Sequence, residues 1–207
     1  LFYSGGFFEG ELPIPNNTQI DAVAHSGYSS LKMLAGASLS LTPLSLTPVE
    51  YAKGLKVKIW VKLSSHHSYN YSYNSLSSDL SVRVNNQWST LVPFTVISRT
   101  GEWILCEAVI KNFGDVVPNK VFSLTIGYQP VDAIWVDDVV VKPVDAEMSC
   151  YVYNKDNLQL LTIFDDQHFG LYFQYNPEGK LIRKMLETEK GAKTVQETHY
   201  NTKLTTK

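Results

Sequence analysis

The sequence is poor in the residues that build a covalent or strongly charged framework. Among 207 residues there are two cysteines, Cys106 and Cys150, which are too few for a disulfide framework or a cysteine-based metal site. Basic and acidic residues nearly balance, at 18 Lys+Arg against 20 Asp+Glu, with no basic block. Because nucleic acids require clustered cationic surface, nucleic acid is not expected as a partner.

Long apolar runs are also missing. No stretch approaches the roughly 18 consecutive apolar residues of a transmembrane helix, so no membrane span is expected. The first ten residues, LFYSGGFFEG, lack the charged and apolar regions of a signal peptide. The chain begins at Leu1 without an initiator Met, which favours a longer or processed parent chain.

The apolar residues that are present recur with period two, and turn residues interrupt them about every ten positions. In KVKIWVKL (56–63), Val57, Ile59 and Val61 share one face, while Trp60 shares the other face with lysines. The same alternation predicts half-buried strands in SDLSVRVNN, WILCEAVI and VFSLTIGY. The strand IWVDDVVV (134–141) is apolar on both faces apart from its Asp pair, which predicts a central position.

No stretch of a dozen residues shows the 3.6-residue periodicity of a capped amphipathic helix, so no long helix is expected. Several short antiparallel strands predict an all-β protein built as a two-sheet sandwich. Pro143 and two acidic residues then end the last sandwich strand. We therefore expect a β-sandwich over residues 1–143 and a separate segment over 144–207.

The second segment contains a weak internal repeat. Tyr153-Asn154, Tyr175-Asn176 and Tyr200-Asn201 are spaced by about 22 and 25 residues. This spacing suits a hairpin unit that buries its apolar face by stacking on neighbours. The sequence thus predicts a C-terminal β-hairpin repeat extension, truncated after two units.

Five segments of the first 143 residues occur in an order that resembles the galactose-binding-domain-like jelly rolls typical of carbohydrate-binding modules. They are GGFFEG (5–10), HSGYSSLKM (25–33), KGLKVKIWVK (53–62), GEW (101–103) and IWVDDVVVKP (134–143). The resemblance implies an antiparallel jelly-roll sandwich with a carbohydrate partner. The tail over 150–201 resembles the YD (Rhs-type) repeats of bacterial surface and toxin proteins, with Tyr-Asn in place of Tyr-Asp.

Asp137 and Asp138 lie inside the most apolar strand, and period two places them on opposite faces. Asp137 falls on the side of Trp135 and is expected to face the core, where a carboxylate needs hydrogen bonds, a partner or a metal. The jelly-roll resemblance implies a structural calcium ion between Glu9 and Asp137. The alternative is that Asp137 accepts hydrogen bonds from loop N–H groups.

Sugar binding by such modules relies on exposed aromatic faces. HHSYNYSYN (66–74) places Tyr69, Tyr71 and Tyr73 on one face of an extended segment. Trp60 points away from the apolar face of its strand. These four residues are the expected ligand contacts, whereas Trp88 and Trp103 are expected at the rim or in the core.

No spacing of residues in the sequence indicates a catalytic site. His66 and His67 are adjacent and would point to opposite faces of a strand, and DDQH (165–168) falls at a turn of a repeat unit. Cys106 is interpreted as a small core residue. We therefore expect a non-catalytic carbohydrate-binding or adhesion module of a bacterial cell-surface or secreted protein. The alternative is a spacer or cap for a YD-repeat shell that binds no sugar.

Overall fold

The computed structural model describes residues 3–5, 16–26, 29–64, 79–129, 132–154, 156–167 and 169–200. The chain divides into two compact units, Leu1–Ala146 and Glu147–Lys207. None of the helices in these ranges is long and apolar enough to cross a membrane.

Unit 1 contains eleven strands among its described residues, together with two short helical turns. The strands are β1 Tyr3–Gly5, β2 Thr18–Asp21, β3 Ser30–Met33, β4 Ser38–Ser45, β5 Leu55–Leu63, β6 Leu80–Val84, β7 Val92–Pro93, β8 Thr95–Thr100, β9 Trp103–Ile110, β10 Val121–Tyr128 and β11 Ile134–Pro143. The α-helix α1 spans Pro48–Lys53, and a 3₁₀ turn spans Trp88–Thr90.

These strands form two antiparallel sheets. The seven-stranded sheet has the order β2-β3-β11-β5-β9-β8, with β1 also paired to β11. The four-stranded sheet has the order β4-β10-β6-β7. The expected all-β class is confirmed, and β11 lies inside its sheet, as its two apolar faces predicted.

One hydrophobic core contains side chains from both sheets. From the seven-stranded sheet it takes Val57, Ile59 and Val61 of β5, and from the four-stranded sheet the apolar residues of β6 and β10. The period-two assignments for these strands are confirmed, because their alternate residues are buried in the core. Unit 1 is thus a β-sandwich with one core between its two sheets and one outer face on each sheet.

The short helix α1 begins with a capping box. The Thr47 hydroxyl accepts a hydrogen bond from the Glu50 N–H, and the Glu50 carboxylate accepts one from the Thr47 N–H. Gly54 ends the helix at φ +88, and a Cβ there would lie 2.6 Å from the Ile110 carbonyl oxygen. Glycine is therefore required where the chain enters β5.

Unit 2 is a five-stranded antiparallel sheet with its strands in chain order. They are β12 Cys150–Tyr153, β13 Leu160–Phe164, β14 Gly170–Tyr175, β15 Leu181–Thr188 and β16 Gly191–Glu197. Tyr172 donates a hydrogen bond from its hydroxyl to Glu187 (3.0 Å) and meets Phe164 edge to face. Tyr172 thus finds its partners inside unit 2.

The two described Tyr-Asn pairs of unit 2 occupy equivalent places. Asn154 and Asn176 each follow a strand, and their Oδ1 atoms accept turn N–H groups from Asp156 and Lys180, both at 2.8 Å. Tyr175 donates its hydroxyl to the Leu160 carbonyl oxygen (2.9 Å). Tyr200 does the same to that of Leu181 (3.1 Å). Asn154 and Asn176 thus share a turn bond, and Tyr175 and Tyr200 share a bond to a leucine carbonyl oxygen, whereas the repeat as a structural unit stays a prediction.

Candidate functional site

The first candidate site lies on β11, at the Asp pair singled out by the sequence. Along one edge, β3 pairs with Ile134–Val136 and β1 pairs with 139–141. On the other edge, the register with β5 shifts between Asp137 and Val140, so Asp138 and Val139 face the single residue Ile59. This is a β-bulge, and it leaves Asp137 and Asp138 between the two strands on the first edge.

The segment around His25 fills this gap. The N–H groups of His25 and Ser26 donate to Oδ2 of Asp137, at 2.8 and 3.2 Å. The Asp138 N–H donates to Oδ1 of Asp137 at 2.8 Å. Both oxygens of Asp137 thus accept backbone hydrogen bonds, which is the alternative that the sequence analysis left open.

Two side chains bind Asp138. Nδ1 of His25 lies 2.7 Å from its Oδ2, and the Ser26 hydroxyl donates to its Oδ1 at 2.6 Å. Asp138 is 4% exposed, and it adopts the left-handed backbone conformation with φ +46. Period two, which places Asp138 on the face opposite Asp137, predicts a carboxylate on the surface; this prediction is wrong, because the bulge breaks the alternation.

The expected core orientation of Asp137 is also wrong. Val136, Val139 and Val141 belong to the core shared by the two sheets, and Asp137 does not. It is buried instead on the other face of the seven-stranded sheet, paired with Trp60 of β5. The bulge shifts Val139 and Val141 to the core side, away from Asp137 and Trp135.

Trp60 does not present a face to solvent. Its orientation away from the core is as predicted, but its exposure is 0%. The indole stacks on the His25 ring, with centroids 4.0 Å apart and planes inclined by 14°, and Trp103 contacts the same imidazole edge-on at 5.6 Å. Its exposure was thus predicted wrongly: the parity of the strand gave its face but not the residues that cover that face.

The electrostatics of this cluster are those of a buried acidic pair beside an imidazole. Burial, and less strongly the adjacent Asp138, raises the pKa of Asp137 to about 7, although the backbone N–H groups oppose the shift. The Ser26 hydroxyl donates to Asp138 rather than to His25, so the imidazole does not activate it as a nucleophile. The His25 side chain is 2% exposed, so the imidazole and the carboxylate it contacts are buried. We call the contact between these two side chains the His25–Asp138 lock, because it holds the His25 segment against β11.

The described surroundings of Asp137 do not fit a calcium ion. Calcium takes about six to eight oxygen ligands, and the groups that point at this carboxylate are N–H donors. No cluster of three potential ligand side chains occurs within the described ranges. Glu9 lies outside those ranges, so a calcium site shared by Glu9 and Asp137 stays a prediction.

The predicted sugar contacts Tyr69, Tyr71 and Tyr73 also lie outside the described residues, as do His66 and His67. Asp165 is described, and its Oδ1 accepts the N–H groups of Gln167 and Phe169. Its role in turn formation is therefore confirmed. Cys106 is buried in the core, and burial raises the pKa of its thiol to about 12, which makes it unreactive.

A second candidate site, which the sequence analysis missed, lies at the turn after β6. Asn85 and Asn86 both adopt positive φ angles, 46 and 57. The buried Thr90 hydroxyl accepts the Val84 N–H (2.9 Å) and donates to the Gln87 carbonyl oxygen (2.8 Å). These bonds fix the 3₁₀ turn that carries Trp88, and the indole is 69% exposed.

Arg83 supports this indole from the sheet. It lies on the outer face of β6 between the core residues Val82 and Val84, and its guanidinium carbon is 4.3 Å from the centroid of the Trp88 ring. Arg83 is only 8% exposed, and its Nε is buried without a hydrogen-bond partner. Over the described part of the chain, this guanidinium forms no ion pair and no hydrogen bond.

Small residues surround Arg83 on the outer face of the four-stranded sheet. Thr125 and Gly127 of β10 alternate with core residues and pair across the sheet with Arg83 and Ser81 of β6, and Ser40 of β4 pairs with Thr125. A Cβ on Gly127 would lie 3.4 Å from an Nη of Arg83, which places the guanidinium above this glycine. We call Trp88, Arg83, Ser40, Thr125 and Gly127 the Trp88 surface.

A sequence signal for this surface existed. In VRVNNQW, Arg83 has the parity of an outer-face residue, and Asn-Asn marks a tight turn directly before Trp88. A tryptophan that directly follows a turn is poorly placed to enter the core. The expectation that Trp88 lies at the rim or in the core took no account of the turn at Asn85 and Asn86.

Unit 2 contains a separate concavity of about 290 Å³. Its charged side chains Arg183 and Glu197 pair with each other at 2.9 Å. Arg183 and Glu197 therefore neutralise each other at this concavity.

Comparison with known proteins gives similarity at the level of structure alone. No family model and no curated protein matches the chain. The chain is similar to the CBM22-1 xylan-binding domain from Paenibacillus barcinonensis Xyn10C, at 16% identity and a TM-score of 0.41, covering 70% of this chain and 94% of that one. It is also similar to the family 30 carbohydrate-binding module of the Clostridium thermocellum cellulosomal cellulase CEL9D-CEL44B, at 13% identity and a TM-score of 0.37, covering 70% and 92%.

Proposed function

We propose that unit 1 is a non-catalytic carbohydrate-binding domain that holds its ligand on the Trp88 surface. The observation that carries this proposal is the Trp88 indole, which is 69% exposed on a turn fixed by buried hydrogen bonds. An exposed indole at a fixed position gives a ligand a flat apolar face, and here polar side chains lie beside it, as at known binding surfaces.

The chemistry of the Trp88 surface suits a sugar ring. A pyranose offers a C–H face that packs on an indole, with hydroxyl groups at its edge that require hydrogen-bonding side chains. Ser40 is exposed beside Thr125 on the outer face of the same sheet. Because the turn holds Trp88 in place, little conformational entropy is lost on binding.

We propose no catalytic function for unit 1, because its described candidate nucleophiles are bonded or buried. Ser26 and His25 bond to Asp138 and are enclosed, while Cys106 is buried. We further propose that the protein acts outside the cell or at the surface of a bacterial cell, as an adhesion or sugar-targeting module of a longer chain. This location is supported by the sequence resemblance to carbohydrate-binding modules and to YD-repeat proteins.

Affinity electrophoresis of the full chain through gels that contain soluble polysaccharides tests the proposal. We expect Trp88→Ala to weaken retardation by at least about tenfold in affinity, as truncation of a central aromatic contact does. Tyr151→Ala is the matched control, because Tyr151 is an exposed aromatic residue of unit 2. Equal binding by the Trp88 variant and the wild type would overturn the assignment of the site.

The predicted contacts Tyr69, Tyr71 and Tyr73 are measured in the same gels. Alanine at each position is expected to weaken binding if these tyrosines contribute to the sugar site, as their alternation with Asn and Ser suggested. Retention of full affinity by a triple variant would remove these tyrosines from the proposed site while leaving Trp88 in place.

A second candidate function is that of a spacer or cap for a YD-like repeat shell. The observation that favours it is a bond that occurs twice in unit 2: the Tyr175 and Tyr200 hydroxyls each donate to the carbonyl oxygen of a leucine at the start of a strand. A chain that binds none of a broad glycan array, and whose unit 2 gains stability when further repeats are appended, would support this function instead.

A further inference from the structure

We propose that the ligand of the Trp88 surface is an acidic saccharide, and that Arg83 recognises the carboxylate of a uronic acid. This inference rests on the carbohydrate-binding function proposed above and names the class of sugar. Its basis is the juxtaposition of an exposed indole with an unpaired, nearly buried guanidinium on the same face of one sheet.

The state of Arg83 in the free protein is unusual. A guanidinium carries five N–H donors and is always charged, so it is normally paired when it leaves water. Arg83 is 8% exposed, and its described interaction is the contact with the Trp88 ring at 4.3 Å. A cation held over an indole keeps its N–H donors for a ligand, because the attraction to the ring is electrostatic and uses no hydrogen bond.

Among the residues that the structure describes, no acidic side chain is paired with Arg83 across the four-stranded sheet. Its neighbours on the outer face of the four-stranded sheet are Ser81, Thr125 and Gly127, all uncharged and small. Gly127 leaves the space above β10 open to the guanidinium, whose Nη lies over it. The fold therefore holds one positive charge, beside a sugar-binding indole, without neutralising it.

A uronate satisfies both groups at once. Its planar carboxylate accepts two parallel hydrogen bonds from the fork of a guanidinium, which is the strongest geometry for this pair. Its pyranose ring then lies toward Trp88, whose exposed ring edge and face remain available beside Arg83. Neutral sugars gain the indole contact but leave Arg83 without a partner, so the surface discriminates by charge.

The test compares one polymer with its carboxylates free and masked. We measure binding of the full chain to polygalacturonate and to the same polymer after methyl esterification, and to alginate and its ester. Neutral xylan, cellulose and galactan complete the panel. We expect the wild type to bind at least one free-acid polymer at least tenfold more tightly than its ester, with affinity that falls as salt rises.

Three variants show which residue causes the preference for the free acid over its ester. Arg83→Gln is expected to abolish the preference for the free acid while keeping weak binding to both forms. Arg83→Lys keeps the charge but loses the planar fork, and so retains only part of the preference. Trp88→Ala weakens binding to both forms. Thermal unfolding followed by fluorescence confirms that each variant is folded.

The outcomes separate this inference from the proposed function. Trp88-dependent binding to neutral polymers, with equal affinity for an acid and its ester, would overturn the acidic-sugar inference and keep the carbohydrate function. Binding to no polymer of the panel would overturn both. Should Arg83→Gln fail to fold, the comparison of acid with ester in the wild type still decides the question.

Discussion

Removal of the Asp138 carboxylate is expected to destabilise unit 1 as strongly as removal of the Asp137 carboxylate. Asp138 is 4% exposed and bonds to both His25 and Ser26. Loss of one partner from a buried charged site costs about 3–5 kcal/mol. Each kcal/mol lowers the melting temperature of a chain of this size by roughly 2–4 °C, so Asp138→Ala should lower it by about 6–20 °C.

The backbone at position 138 needs its own control, because φ is +46 there. Alanine is strained in this left-handed conformation, whereas glycine is not. Asp138→Gly therefore removes the carboxylate without adding strain, and Asp138→Asn keeps one acceptor oxygen and tolerates the conformation. We expect the loss of stability to be largest for Ala, nearly as large for Gly and smallest for Asn.

Tryptophan fluorescence is the assay, because all four tryptophans of the chain, at positions 60, 88, 103 and 135, belong to unit 1. Thermal unfolding followed in this way reports on the sandwich separately from unit 2. Asp115→Ala is the matched control, since Asp115 is exposed. A surface change of this kind alters stability by less than about 0.5 kcal/mol. If Asp138→Gly unfolded at the same temperature as Asp115→Ala, the His25–Asp138 lock would be refuted.

Three further measurements probe the remaining contacts. The pKa of Asp137 is raised to about 7, above the unfolded value near 3.8, so the folded state binds its proton more tightly. Stability should therefore fall as pH rises from about 4 to about 7, more in wild type than in Asp137→Asn; parallel pH profiles would contradict this. EDTA should leave the melting temperature unchanged if N–H donors are the complete partner set of Asp137; a drop of several degrees, absent in Glu9→Gln, would instead support the calcium site predicted for Glu9 and Asp137. Tyr175→Phe, which loses its bond to the Leu160 carbonyl, should cost unit 2 about 0.5–1.5 kcal/mol, measured by amide exchange in β13, whereas Tyr151→Phe should cost little.

The strands of the sandwich could be predicted from the sequence because one face of each is buried in a common core. Burial imposes a period of two, and Val57, Ile59 and Val61 obey it. The Asp pair could not be predicted by the same rule. A bulge inserts one residue opposite Ile59, so every assignment beyond Asp137 changes face. Only the tertiary gap between β1 and β3, filled by His25 and Ser26, explains why a bulge is stable there.

The turns at Asn154 and Asn176 are the opposite case, because hydrogen bonds within each turn are enough to explain them. An Asn directly after a strand bonds to the backbone of its own turn, and this requires no distant partner. Turn positions could therefore be predicted from sequence at Asn154 and Asn176. The long-range part of the pattern, the hydroxyl of Tyr175 on Leu160, depends on strand pairing and was outside the reach of that argument.

Trp60 and Trp88 show what decides whether a tryptophan of this sandwich is exposed. Trp60 and Arg83 both have outer-face parity, yet parity says nothing about what covers a face. On the seven-stranded sheet, the segment carrying His25 covers Trp60 completely. On the four-stranded sheet, the tight turn after β6 brings Trp88 over Arg83 and leaves the indole in solvent. The more informative signal was the Asn-Asn turn, because a rigid turn can hold an aromatic residue outside the core at a fixed position, which is the property that a sugar site requires.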